Sequence, residues 1–235
     1  MCKRLVGVLL FFSMVFIGAV VVDPSLAMKV HRKLNPYGPE LREYYHESVS
    51  YQRRADKTVL PNAHLFIGDS HIQSLCTSCI VDGAINFGIG RDTSLGVLKR
   101  LSFYHSVQTA RSVFLSVGIN DFKYRSVDEV GENYKRILEI IPRNVDVYVN
   151  AVWPVNPEID ARWKGYRERI DTLNSVLEQL CDSYPNCLYV DMTNELSDSD
   201  GYLRAAMQTG DGIHLNARGG REVIRILRDL YGQNG

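Results

Sequence analysis

His64-Leu65-Phe66-Ile67-Gly68-Asp69-Ser70-His71 is an apolar run that stops on a tight polar turn containing a serine. Such a run reads either as a strand that delivers a hydroxyl at its carboxyl end, or as a strand closed by ordinary turn chemistry. The rest of the chain decides between the two. From Ala63 onward, short apolar runs alternate with longer amphipathic ones, the pattern of βα units around a parallel sheet. Strands are expected at 64–67, 84–87, 112–117, 146–152 and 188–190, and helices at 72–79, 94–106, 127–141, 166–183 and 217–231. Leu95, Leu98 and Leu101, like Ile137, Leu138 and Ile141, have the three-to-four spacing of a helix face laid on a sheet. The expected fold class is therefore α/β: five parallel strands with helices on both faces, an open doubly wound sandwich.

The chain has 235 residues, 45% of them hydrophobic, enough for one sizeable core and too few for two. Its 27 basic and 27 acidic side chains cancel, so electrostatic capture of nucleic acid or of an anionic membrane surface is not expected. Residues 1–27 stand apart from the domain. Lys3 and Arg4 precede an apolar segment at 5–22, and Ser25-Leu26-Ala27 offers small residues where a signal peptidase cuts. That segment exceeds the roughly 7–15 residues of an ordinary signal core and nears the about 17 of a membrane span. A cleaved signal peptide and a retained N-terminal membrane tether both fit, and either places the remaining chain outside the cytoplasm, secreted or periplasmic.

Residues 28–62 read as a basic, proline-punctuated linker followed by one helix, with no evident chemistry, and 63–235 as the functional domain. Cys2 lies before the apolar segment, the wrong side for lipid attachment. The other four cysteines allow three pairings, of which the local bridges Cys76–Cys79 and Cys181–Cys187 are the simplest in an oxidising compartment. A redox role for Cys76-Thr77-Ser78-Cys79 lacks the flanking context of a thioredoxin site, and no histidine lies at zinc-ligand spacing from either pair.

In doubly wound sheets, ligands bind beyond the carboxyl ends of the strands. Each expected strand is followed there by a polar or glycine-rich loop: Gly68-Asp69-Ser70, then Gly88-Ile89-Gly90-Arg91-Asp92-Thr93, then Gly118-Ile119-Asn120-Asp121, then Trp153-Pro154, and finally a long loop holding Asp211-Gly212-Ile213-His214. A serine hydroxyl is a poor nucleophile at neutral pH without a base, and the base needs an orienter. His214 and Asp211, three residues apart on a turn, suit those two roles for Ser70. Asn120 with backbone amides at Ser70 and in the 88–91 loop could hold a developing oxyanion.

Those four blocks, Gly68-Asp69-Ser70, Asn86 to Thr93, Gly118 to Asp121 and Asp211 to His214, resemble the SGNH hydrolases, also called GDSL esterases and lipases. The resemblance spans about 63–231. It implies a flavodoxin-like three-layer αβα sandwich, a Ser70-His214-Asp211 triad, an oxyanion hole made by Ser70, Gly90 and Asn120, and no metal or organic cofactor. It further implies an acyl-ester substrate, with a short acyl group such as acetate on a polysaccharide expected because no long apolar lid segment is visible. Acyl transfer to a sugar hydroxyl, lysophospholipid or thioester hydrolysis, and a non-catalytic glycan-binding module are the competing readings. One position departs from the commonest family pattern: Arg91, not glycine, stands before Asp92-Thr93. Its expected partner is Asp92, with an anionic substrate as the alternative. His71 is expected as a pocket-wall or helix-start residue, and Trp153, Pro154 and Trp163 as an aromatic wall or as core.

Overall fold

A computed structural model describes residues 42–233; the expected signal or anchor at 1–27 and most of the linker lie outside them. Among the described residues, no helix is long and apolar enough to cross a membrane.

Five strands, β1 (His64–Gly68), β2 (Ala84–Gly88), β3 (Ser112–Ser116), β4 (Asp146–Asn150) and β5 (Cys187–Val190), form a single parallel sheet in the order β2-β1-β3-β4-β5. The chain runs outward from β1 to β2, then crosses back to β3 on the other side of β1. The switch point therefore lies between β1 and β3, where an open α/β sheet leaves a crevice at its carboxyl edge.

Strand alternation sends neighbouring residues to opposite faces. Leu65, Ile67, Val113, Leu115, Val147 and Val149 meet α3 (Ser94–Leu101), α4 (Val127–Ile140) and α5 (Tyr166–Asp182) on one face. Phe66, Phe114 and Tyr148 meet the short α2 (Ser70–Gln73), α6 (Thr193–Leu196) and the long α7 (Ala217–Gln233) on the other. These are the three layers expected. The two local cysteine pairs, Cys76–Cys79 and Cys181–Cys187, are both bonded.

Two helices are shorter than their periodicity predicts, and in each case a distant side chain ends them. The helix expected at 72–79 is instead α2 followed by a 3-10 turn at Thr77–Cys79, because Asn86 Nδ2 donates to the Ile72 and Leu75 carbonyls, at 2.7 and 2.9 Å. The helix expected at 94–106 stops at Leu101, and a separate turn, His105–Gln108, forms where Asp56 accepts from the backbone N–H groups of His105 and Ser106.

Asp56 ends α1 (Arg42–Asp56), which lies against the carboxyl side of β2 and α3. Tyr45 and Val49 bury themselves against Ile89, and the Tyr45 hydroxyl donates to Gly96 O at 2.7 Å. Gln52 Nε2 donates to Gly88 O, and Gln52 Oε1 accepts from both Arg100 and Tyr104.

Arg100 has no exposed surface. Its Nε donates to Asp92 Oδ2 at 2.8 Å, its Nη2 to Gly68 O at 3.1 Å, and its Nη1 to Gln52 and to the Tyr104 hydroxyl. Asp92 is thus taken by a residue eight positions later, and the expected Arg91–Asp92 pair does not form. Side chains 91 and 92 diverge, Asp92 into the interior and Arg91 to the surface. Replacing Asp92 by Ala leaves a buried guanidinium uncompensated. A loss of about 3–5 kcal/mol in urea unfolding is expected, and the double change Asp92→Ala with Arg100→Met should recover part of it.

Candidate active site

The turn after β1 is built so that only certain residues fit. An ideal Cβ on Gly68 would lie 2.1 Å from Ser116 O and 2.6 Å from Ile72 Cγ1, so β1, β3 and α2 close on this position only around a glycine. Asp69 then caps α2, its Oδ1 accepting from His71 N–H at 3.0 Å, and Ser70 opens the helix with its backbone N–H before any intrahelical acceptor.

Ser70 Oγ lies 2.9 Å from His214 Nε2, and His214 Nδ1 lies 2.5 Å from Asp211 Oδ2. The three expected side chains are therefore in hydrogen-bond series, brought together across 144 residues of chain. A carboxylate at Nδ1 holds the ring with its Nε2 lone pair toward the serine. Partial burial pushes the Asp211 carboxyl up, but hydrogen bonds from the His214 ring and from the His214 and Ile213 N–H groups outweigh it and hold it at about 2. It is ionised throughout the neutral range.

The loop carrying Asp211 and His214 is clamped from behind. Trp163 Nε1 donates to Asp211 O at 2.7 Å, and Asn156, itself buried, donates its backbone N–H to Gly212 O at 2.7 Å. Gly212 has φ 72°, and a Cβ there would lie 2.6 Å from Asn156 O. Asn156 and Trp163 are thus positioning residues that spacing could not reveal. A tryptophan followed 48 residues later by the loop it braces leaves no local pattern.

The third block sits beside the serine. Asn120 Nδ2 donates to Asp92 O at 3.1 Å and approaches Asp69 Oδ2 at 3.5 Å, so the second and third blocks are bonded to each other. Asp121 accepts from Ser94 N–H and Oγ and pairs with Arg125, bolting this loop to α3. Ser70, Asn120, Asp211 and His214 all face one cavity of about 440 Å3, whose rim also includes Arg91 and Lys123. Gly90 does not border that cavity; it lies behind the rim, where a Cβ would meet Gln73 Oε1 at 2.7 Å. Arg91 borders it instead, at φ 64°, the left-handed region that glycine adopts most easily. The position where this sequence leaves the family pattern is thus one whose backbone favours glycine.

The remaining aromatic expectations divide. Trp163 lines the cavity, whereas Trp153 and Pro154 do not. Trp153 is buried and packs edge-on against His71, ring centroids 4.8 Å apart. His71 is the second residue of α2, 5.7 Å from the His214 ring, and burial followed by the His214 charge pushes its pKa down to about 3. It is a neutral wall behind the His214 imidazole. Asp69, fully buried, is pushed up to about 7 by burial and by the charges of Asp92 and Asp121, against the His71 N–H bond. Among the described residues, no group of three or more His, Cys, Asp or Glu is arranged to hold a metal ion.

Comparison with known proteins agrees with this geometry. A family model described as GDSL-like Lipase/Acylhydrolase matches residues 67–221. A structure from Streptococcus pneumonia, described as a platelet activating factor, superposes with a TM-score of 0.75 at 24% identity, over 87% of this chain and 98% of that one. A GDSL-like lipase from Bacteroides thetaiotaomicron superposes at 0.69 and 17% identity, over 80% and 100%. A carbohydrate acetylesterase from Sinorhizobium meliloti does so at 0.56 and 15%, over 74% and 100%. No curated protein is significantly similar in sequence. With its parallel five-stranded sheet and a match over more than half its length, the chain belongs to the GDSL-like lipase/acylhydrolase family.

Proposed function

We propose that this acylhydrolase is a serine esterase acting outside the cytoplasm on short acyl esters, such as acetyl groups on a glycan. The observation that carries the reading is the series Ser70 Oγ, His214 Nε2, His214 Nδ1, Asp211 Oδ2 inside a single cavity. In it, Ser70 attacks the ester carbonyl while His214 takes the hydroxyl proton and returns it to the departing alcohol. Water, activated by the same imidazole, then releases the acid. Charge develops on the carbonyl oxygen, and the donors for it are the Ser70 N–H, an amide of the Gly90-Arg91 turn, and Asn120 Nδ2. Each such donor is worth about 2.7–4 kcal/mol of barrier.

The lining favours a small, polar substrate. Arg91, Asn120, Lys123 and Arg162 surround the serine, and Trp163 supplies a ring face suited to a sugar. A long acyl chain would need an apolar slot that this cavity lacks. The carbohydrate acetylesterase with the same fold supports the glycan reading. The apolar segment at 5–22 and the two bonded cysteine pairs support export.

Ser70→Ala should reduce hydrolysis of p-nitrophenyl acetate to the uncatalysed rate and abolish labelling by a fluorophosphonate; unchanged turnover would reject the assignment. Asp211→Asn, which keeps the shape but loses the tautomer control, should lower kcat by about 10^3–10^4. His71 stays neutral down to about 3 and Asp211 ionised down to about 2, so neither changes charge in the neutral range. The shape of the pH profile of ester hydrolysis should therefore be the same in His71→Gln as in the unaltered chain. A profile that changes shape in His71→Gln would give His71 a titrating role and overturn its reading as a neutral wall.

A further inference from the structure

Two cations stand on the rim of the Ser70 cavity without a carboxylate partner. Arg91 reaches it from the loop after β2, and Lys123 from the 3-10 turn Ile119–Lys123 after β3; both are exposed. Among the described residues, no acid pairs with either. The acids that could have neutralised them are otherwise committed. Asp92, the neighbour of Arg91, is held inside by Arg100, and Asp121, two residues before Lys123, is buried against Arg125 and Ser94. Asp211, the acid on the cavity wall, is bonded to His214, and the third rim cation, Arg162, already pairs with Asp160. The cavity mouth is therefore net positive in a chain whose formal net charge is zero.

Arg91 also sits where the backbone favours glycine, so a large charged side chain is kept at a position with a conformational cost. We infer that Arg91 and Lys123 recognise an anion, and that the preferred substrate is an acyl ester whose alcohol part carries a carboxylate or a phosphate. The inference rests on the esterase reading above. A short acyl group has no charge of its own, which leaves the alcohol part to supply the anion. Cations from two loops, lining the same cavity as Ser70, would draw such a substrate in and hold its ester near the hydroxyl.

The test compares kcat/KM of the full chain on two matched pairs: glycerol monoacetate with its phosphate, and the monoacetate of methyl glucoside with that of methyl glucuronoside. The anionic member should be preferred by about tenfold at low salt, and the preference should shrink as sodium chloride is raised. Arg91→Asn, a residue that tolerates left-handed backbone, and Lys123→Gln, on a separate loop, should each lower the ratio of anionic to neutral turnover, and together bring it near unity. Whichever pair shows the larger ratio identifies carboxylate or phosphate as the recognised group. A wild-type ratio of one or less, or a ratio that neither variant moves, overturns the inference while leaving the esterase intact. If no ester is cleaved and Ser70 takes no fluorophosphonate label, both readings fall.

Discussion

The buried pair between Arg100 and Asp92 is the joint through which the site is assembled. A guanidinium and a carboxylate withdrawn from water lose several kcal/mol of hydration apiece, and only dense hydrogen bonding makes the arrangement tolerable. Here it is dense. The guanidinium reaches the carbonyl of Gly68, just before the serine turn, and the side chains of Gln52 and Tyr104, while Asp92 also accepts from Thr93 N–H. The Asp92 carbonyl in turn holds Asn120. One ion pair thereby sets the relative positions of the first three loops at the carboxyl edge of the sheet. It works through a backbone carbonyl, a carboxylate and an amide.

Around this joint the same chemical groups behave differently according to what surrounds them. Asp211, partly exposed and bonded by three N–H groups, stays ionised and holds the His214 ring. Asp69, wholly buried with carboxylates nearby, is pushed toward neutrality and serves to cap α2. His214 is open to the cavity, while His71, one residue past the serine, is sealed behind Trp153. Adjacency in sequence to Ser70 is a poor guide to which imidazole can reach its hydroxyl, because neighbouring side chains at a strand-to-helix turn diverge.

Much of the fold was legible because it rests on local signals. Alternating short and long apolar runs placed all five strands within two residues of their observed ends, and a polar loop after each pointed to the carboxyl edge. The hydrogen-bonded series of Ser70, His214 and Asp211 was legible because a hydroxyl sits in the loop after β1 and an imidazole and a carboxylate sit three residues apart in the loop after β5. What could not be read was long-range. Asn86 and Asp56 truncate helices whose own periodicity would carry them further. Asn156 and Trp163 brace the His214 loop from positions with no pattern linking them to it. Arg91 was assigned the neighbour that Arg100 occupies, since nothing in residues 91–92 announces a competitor arriving from the next helix.

The placement of Gln52 changes what counts as the working unit of this protein. The family match opens at residue 67, inside β1, yet one acceptor of the Arg100 guanidinium comes from α1, and the same amide caps the end of β2 through Gly88 O. A fragment trimmed to the family boundaries would keep Ser70, Asn120, Asp211 and His214 and lose the outer wall of the compartment in which Arg100 is neutralised. Water would then enter beneath the serine turn, raising the local dielectric and loosening the contact that sets its height above the sheet. The helix before the domain is in this sense its insulation.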